Sequence, residues 1–484
     1  MTVASLSETG PQTPLIVDMD GALLRTDVLF EAFAAGLARR PVATLMALRH
    51  LLGGRARFKR AVAEIAEIDV EALPLREDFV EHLAAEKATG RPLHLVTAAD
   101  QEVAQRVAER VGLFDSVEGS TDGRNLKGSK KLAAIQARFP EGFAYAGDSN
   151  ADLKVWAEAD SIVLAGAPAP VAARAGRLAK PIEARFEPAR ANLRTWMKAL
   201  RVHQWSKNAL VFVAIVLGHL YREPEAWIAS FMALTAMCLT ASGTYLFNDL
   251  SDLAADRRHR TKRNRPLADG RISVQTGLIL APLLILAGLA VGFAGSLALG
   301  ALVTLYLAMT LSYSMALKRV PMLDVTILGG LYTVRVIIGA VAIGAVLSPW
   351  LLTFSFFFFF AMSLAKRHVE LVRLAEEAPR KVDGRGYSAT DAPLTLAFGV
   401  SATTASILII MLYMVEEAFP SGAYSAPDFL WAAPVLVAIW TMRIWLLAQR
   451  GELHDDPVAF AVRDRVSWAL GAVFGVCFIA ATVS

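Results

Sequence analysis

Apolar positions along this chain follow two different rules. Over the first two hundred residues they come in short runs that end in polar clusters: "PLIVDMDGALLRTD", "PLHLVTAAD" and "FAYAGDSNADL", with helical patterns between them. Buried runs of this length, separated by helices, predict an open α/β domain with its site at the carboxyl ends of the strands. The first predicted strand is Leu15 to Val17. From about Leu210 the rule changes. Apolar runs lengthen toward the roughly 20 residues that a spanning helix needs, and charges gather between them. Nine such segments are predicted: 206–220, 227–247, 277–294, 297–315, 325–346, 350–365, 394–415, 429–447 and 466–483. The first is short and begins polar. Residues 181–198 read as a basic connector and interfacial helix, with the linker between domains placed at 186–202 and with Trp196 and Trp205 as anchors at the lipid surface.

The loop charges orient this scheme. With the amino terminus inside, the inner loops are 248–276, 316–324, 366–393 and 448–465. Among the loops of the membrane half they carry nearly all the lysine and arginine, including Arg380, Lys381 and Arg385, whereas the outer loops hold only Arg222. That is the positive-inside pattern. The total charge of +4 says less than this placement. The basic residues sit at membrane mouths, and no nucleic-acid partner is expected. Cys238 and Cys477 lie in apolar runs, which argues against a disulfide framework or a thiolate metal site. The start, "MTVASLSETGPQTP", lacks a secretory layout, so the first domain is expected in the cytoplasm.

Chemistry collects at three inner mouths. In "NDLSDLAADRRHRTKRNRP", Asp249, Asp252 and Asp256 are spaced i, i+3, i+7 and fall on one helical stripe, with Asn248 at its edge. Stacked carboxylates repel unless a cation sits among them. Oxygen ligands in small number suit Mg²⁺, which keeps waters and bridges to phosphates. The bases that follow, among them Lys262, Arg263 and Arg265, suit remaining phosphate charge. A second mouth, "YSMALKRVPMLD", offers Tyr313, Lys318 and Asp324. Arg335, roughly three turns further on, shares a face with Asp324, and an arginine within an apolar segment is a functional candidate. The third mouth, "AKRHVELVRL", brings Lys366, Arg367 and Glu370 within one turn, where a Lys366–Glu370 surface pair competes with a binding role. Lys207, in "RVHQWSKNALVF", adds another base.

These stretches resemble the UbiA superfamily of membrane prenyltransferases, whose first motif, NDxxDxxxD, is matched by Asn248, Asp249, Asp252 and Asp256. The resemblance covers about 195–484 and implies an all-α domain of nine membrane helices. Within the superfamily, "NDLSDLAADRRHRTKRNRPLADG" and "YSMALKRVPMLDV" look like decaprenyl-phosphate phosphoribosyltransferases. Those enzymes move phosphoribose from phosphoribosyl diphosphate (PRPP) to a polyprenyl phosphate. That implies Mg²⁺, PRPP and a polyprenyl lipid as partners, and a product that feeds cell-wall arabinan. An aromatic prenyltransferase is the alternative. Its second motif usually carries two aspartates, but here Asp324 is followed at i+4 by Leu328. A lipid transporter or scaffold is the non-enzymatic alternative.

The front domain suits phosphoryl transfer. Asp18 is placed to act as nucleophile and Asp20 as acid and base. Thr97 is expected to bind a phosphate oxygen, a lysine of "KGSKK" to neutralise charge, and Asp148, supported by Asp152, to complete a Mg²⁺ site with Asp18 and Asp20. The set resembles the haloacid dehalogenase (HAD) superfamily: Asp18, Asp20, Thr97, Lys131 (or Lys130) and Asp148 match its motifs. The resemblance implies a Rossmann-like α/β domain over 1–185, with a helical cap at about 28–90 and the membrane domain over 203–484. Ion-pumping ATPases share this chemistry, but they carry threonine where Asp20 stands, and there is no room here for their nucleotide-binding insert. The whole is expected in the bacterial inner membrane, with both sites facing the cytoplasm.

Overall fold

The computed structural model describes every residue except 1–12, 54, 67, 122–123, 190, 378–385, 454–455 and 484. Arg380, Lys381, Arg385 and the start of the "GRGYSATD" loop therefore lie outside the described residues. The chain forms two compact units, Met1–Leu200 with Tyr245–Ala281, and Arg201–Thr244 with Pro282–Ser484.

In the first unit, β1 (Leu15–Val17), β2 (Leu93–Asp100), β3 (Ser116–Ser120), β4 (Ala144–Gly147), β5 (Ser161–Ala165) and β6 (Ile182–Phe186) build one six-stranded sheet in the order β3-β2-β1-β4-β5-β6. All pairings are parallel. Both faces are covered, and the strands alternate accordingly. Leu15, Val17, Leu93, Leu95, Ala144 and Ala146 pack on one side with Phe79 and Leu83 of α4 (Glu77–Ala88), while Ile16, Val96, Tyr145 and Ile162 pack on the other with Trp156. Strand order reverses between β1 and β4, which opens the crevice where such sheets place their ligands.

Two features depart from the expectations. Residues 182–186 form the edge strand β6 rather than part of a connector. Their charges alternate with apolar positions as an edge strand's do, and a basic linker has the same composition. The stretch 28–90 also divides. Helices α1 (Val28–Arg39), α2 (Pro41–Ala47) and α3 (Arg55–Ile65) enclose a small core of Ala32, Ala47, Phe58 and Val62, whereas α4 belongs to the sheet layer.

The first unit also contains the segment 245–281, gripped by the α/β part. Arg257 donates to Glu31 through both terminal nitrogens, at 3.0 and 2.6 Å, and through Nε to the Ala268 carbonyl at 2.9 Å. The Thr26 hydroxyl donates to the same Glu31 at 2.6 Å. Gly270 has φ of +77°, and a Cβ there would lie 2.9 Å from the Arg25 carbonyl oxygen, so glycine is required twice over.

Among the described residues, eight helices are long and apolar enough to cross a membrane, from Pro224–Ser251 to Arg465–Thr482. The chain is an integral membrane protein. The predicted first span is not among these helices. It forms 3₁₀ turns over Val202–Phe212 and a short helix, Val213–Leu217, because its polar amino-terminal half leaves too short an apolar run to bridge the hydrocarbon core. The third basic mouth is likewise not a loop: Lys366, Arg367 and Glu370 lie on the helix Pro349–Glu377.

In the second unit this helix packs between Leu323–Ala342 and Ala392–Tyr413. The contact is an apolar core that includes Val325, Ala361, Ala365 and Ala402, joined by Ile444 and Trp445 of the helix Ala432–Gln449, with one polar pin. Arg367 donates to Asp324 Oδ2 at 3.1 and 2.6 Å and also meets Glu370. Tyr387 donates to Asp324 Oδ1 at 2.6 Å and accepts from the Met322 amide at 2.7 Å. The side chains of Arg367 and Asp324 are 1 % and 0 % exposed. Removing one member leaves the other charge buried. Asp324→Ala is therefore expected to cost about 3–5 kcal/mol of stability, and Asp324→Leu with Arg367→Met to recover most of it, as read from thermal unfolding in detergent.

Candidate active sites

The first site lies at the crevice. Asp18 follows β1, and its amide donates to the Ala146 carbonyl at 2.9 Å, which locks it beside β4. Gly21 turns the chain back with φ of +79°, and a Cβ there would fall 2.2 Å from Asp148 Oδ2. Only glycine lets the two loops approach this closely. Lys131 arrives from the first turn of α6 (Ser129–Arg138), where α5 is Gln101–Val111. Its ammonium lies 2.8 Å from Asp18 Oδ2 and donates to the Tyr145 phenol at 2.9 Å. Tyr145 donates in turn to Asp152 Oδ1 at 3.0 Å. Asp152 Oδ2 accepts from the Ser149 amide and hydroxyl at 2.9 and 2.8 Å, which shapes the loop that carries Asp148. Lys131, rather than the exposed Lys130, is thus the lysine of the site.

Electrostatics here are dominated by crowded acids. Carboxylate oxygens of Asp18, Asp148 and Asp152 lie within 4.8 Å of one another. Burial, then Asp152 and Asp18, push the Asp148 carboxyl well above its ordinary range. Burial also raises Asp18, against the opposing charge of Lys131. For Lys131 burial works downward, but the negative charge of Asp18 and Asp152 leaves it raised. Asp20 stands apart from the triplet. Its Oδ1 accepts from the Val28 amide at the start of α1 at 3.0 Å. Burial, with Asp27 adding like charge, pushes its carboxyl up to about 8. Three acids with one buried lysine fit a divalent cation on Asp18, Asp148 and Asp152, and Asp20 lies outside that triplet. Thr97 is fully buried near the end of β2, where its hydroxyl accepts from the Ala99 amide at 3.2 Å. Lys59 of α3 reaches the Ala98 carbonyl at 3.2 Å, a cation at the site that no motif announced.

The second site is the acid ladder. The helix Pro224–Ser251 ends before Asp252, which begins a new helix, Leu253–Arg258. Across the break, two of the three acids share one partner. Arg265 donates to Asp249 at 3.1 Å and to Asp256 at 2.5 Å, and both acids are buried. Burial raises the Asp256 carboxyl, partly offset by Arg265. The cation between Asp249 and Asp256 is here the Arg265 guanidinium. Asn248 ends the first helix half-buried, while Lys262 and Arg263 are exposed in a 3₁₀ turn.

In the second unit Arg335 is buried but does not meet Asp324. It donates to Asn208 Oδ1 at 2.9 Å, to Tyr306 at 3.1 Å and to the Leu331 carbonyl at 2.5 Å. Tyr313 lies against Arg367, and Lys318 is half-buried in the turn Leu317–Arg319. Lys366 faces Asp456 at 3.8 Å instead of Glu370, and Lys207 meets the same acid at 3.0 Å. Asp456 is the residue that sequence reasoning missed. Its "DPVAF" context signals only a helix cap, and its partners are far away along the chain.

Residues 209–481 match the UbiA prenyltransferase family, and residues 15–157 match the haloacid dehalogenase-like hydrolases. The chain belongs to the UbiA prenyltransferase family. It carries a HAD-like domain in front. The uncharacterized protein y4nM of Sinorhizobium fredii is 39% identical over 481 residues, covering 99% of this chain and 93% of that one. Nodulation protein NoeC of Azorhizobium caulinodans is 33% identical over 289 residues, 59% of this chain and 93% of that protein. A decaprenyl-phosphate phosphoribosyltransferase of Mycobacterium tuberculosis is 33% identical over 274 residues, 56% of this chain and 88% of the enzyme. The UbiA match takes in the ladder together with Lys318, Asp324, Arg335 and Lys366. The HAD match takes in Asp18, Asp20, Thr97, Lys131 and Asp148.

Crowding in the HAD site has a measurable cost. Asp148→Asn removes one of three mutually repelling carboxylates and is expected to raise the unfolding midpoint of the metal-free protein, by about 2–4 °C for each kcal/mol relieved. Mg²⁺ should raise the wild-type midpoint and leave the variant's nearly unchanged, as monitored by near-UV circular dichroism with and without EDTA.

Proposed function

We propose that this UbiA-family protein transfers 5-phosphoribose from PRPP to a polyprenyl phosphate, and that its HAD domain then removes the 5-phosphate to leave polyprenyl-phosphoryl ribose. The observation that carries the reading is the Asp249–Asp252–Asp256 ladder beside Lys262, Arg263 and Arg265, in a chain that spans most of a decaprenyl-phosphate phosphoribosyltransferase.

In the first reaction the bond from ribose C1 to the diphosphate breaks and a lipid phosphate oxygen bonds to C1, releasing pyrophosphate. Asp249, Asp252 and Asp256 would hold a divalent ion, which would supply positive charge to the leaving diphosphate. Lys262 and Arg263, both exposed, take the phosphate charge that remains. No strong base is needed, because the attacking phosphate is already anionic. The residues position and stabilise. In the second reaction Asp18 attacks the 5-phosphate, held by Lys131 and Thr97. Asp20, protonated near neutral pH, gives its proton to the leaving ribose oxygen and then takes one from the water that frees inorganic phosphate. Both sites are read as facing the cytoplasm of a bacterial inner membrane, in keeping with the basic inner loops.

The alternative, an aromatic prenyltransferase with a second metal cluster, needs Asp324 as a ligand. Its carboxylate is closed off by Arg367 and Tyr387, which disfavours that reading and gives Asp324 and Arg367 a structural task.

With labelled PRPP and polyprenyl phosphate, the purified protein is expected to form a labelled lipid that lacks the 5-phosphate, followed by mass. Asp18→Asn should accumulate the 5-phosphorylated lipid. Asp249→Ala should abolish labelling. An aromatic acid labelled from a prenyl diphosphate, with no use of PRPP, would refute the assignment.

A further inference from the structure

The second unit contains a cluster in which cations outnumber the acid. Lys207 Nζ lies 3.0 Å from Asp456 Oδ2, and Lys366 Nζ lies 3.8 Å from the same oxygen. Among the described residues no other carboxylate pairs with either lysine. The Tyr332 phenol donates to the Asp456 carboxylate at 3.2 and 3.3 Å. The Tyr332 ring has the Lys207 ammonium 5.6 Å and the Arg335 guanidinium 5.3 Å from its centre. Arg335 itself is satisfied by neutral groups: Asn208, the Leu331 carbonyl and Tyr306. Among the described residues, Lys207 and Lys366 set against Asp456 leave an excess of one positive charge. The side chains of Lys207 and Asp456 are 13 % and 16 % exposed and that of Lys366 is 36 % exposed. Surplus charge beside the largely buried Lys207 is costly, and an anion that enters past Lys366 relieves it. Cation–π contact with Tyr332 relieves only part of it.

The two oxygens of Asp456 divide their work. Oδ1 accepts from the Val458 amide at 3.1 Å and caps the short helix Pro457–Ala461, while Oδ2 gathers the lysines. Oδ2 therefore sits where an oxyanion oxygen is gripped by two ammonium groups and a phenol. A phosphate oxygen is the same kind of acceptor with more charge. Burial alone would raise the Asp456 carboxyl, but Lys207 and Lys366 hold it below its usual range, so it is an ionised competitor.

We propose that Lys207, Lys366 and Tyr332 form a phosphate-binding site, and that Asp456 is its internal counter-ion, displaced from the lysines when a phosphate group enters. This rests on the reading that the membrane half receives a phosphate-bearing substrate, and it adds a residue that sets how tightly that substrate is held. Asp456 offsets part of the lysine charge while the site is empty, and an entering phosphate supplies the rest.

Asp456→Asn separates the two tasks. Asparagine caps a helix as well as aspartate, so Oδ1 keeps the Val458 bond, while an amide cannot pair with lysine. Binding to the full-length protein in detergent with EDTA is measured by calorimetry, using inorganic pyrophosphate and, separately, farnesyl phosphate. The variant is expected to bind at least one probe about three- to tenfold more tightly. A gain for pyrophosphate alone places a soluble diphosphate at the site, and a gain for farnesyl phosphate alone places a lipid headgroup there. Lys207→Gln should weaken that probe by on the order of tenfold, and adding Asp456→Asn to it should restore nothing. Unchanged or weaker binding of both probes by Asp456→Asn, at an unchanged unfolding midpoint, overturns the proposal. Because the readout is metal-free binding rather than turnover, it stands apart from whether PRPP is the donor.

Discussion

A charge that leaves water must find a counter-charge, and that requirement shapes each polar site of this protein. Water solvates an ion at no structural cost; a protein interior does so only with an oppositely charged or hydrogen-bonding group placed in advance. The chain meets the requirement in two ways. Where both charges are buried, as in Asp324 with Arg367 or Glu31 with Arg257, the pair holds elements together. Elsewhere one sign exceeds the other: acids over Lys131 in the HAD-like domain, acids over Arg265 on the ladder, cations over Asp456 in the second unit.

Balance therefore separates residues that look alike along the chain. Arg367 and Lys366 are neighbours, both basic and both at a membrane mouth. One is wholly buried and bonded to two acids, the other is partly open and shares an acid with Lys207. The helix turns about 100° between adjacent residues, so one faces the bundle interior and the other does not. The same argument divides Asp18 from Asp20. The first joins the acid cluster, while the second turns to the start of α1 and acquires a carboxyl that holds its proton near neutrality.

The grip of the α/β part on the segment 245–281 gives a physical account of the fusion. Glu31, near the start of α1, binds Arg257, which adjoins Asp256 of the ladder. The Val28 amide on the same helix holds Asp20. A single turn of helix thus touches both Asp20 and the segment that carries Asp249, Asp252 and Asp256.

Much of this was legible from residue order, because the signals were local. Three strands with their terminal acids, the ladder and most membrane spans are patterns of period two, of helical spacing, or of length. The edge strand β6 was not legible, since alternating charges describe a linker equally well, and neither was the sorting of helices between cap and sheet. The short Val202–Leu217 segment counted as a span by hydropathy until its polar turns left too little apolar length. Asp456, Lys59 and Tyr145 gave no motif, because each acts on partners brought near only by folding. The sequence by itself determined which chemistries the chain carries, through residue types at fixed short spacings. Tertiary structure alone decided which of those charges are neutralised and which remain available, because pairing energy depends on distance and burial in space, and neither is a property of position along the chain.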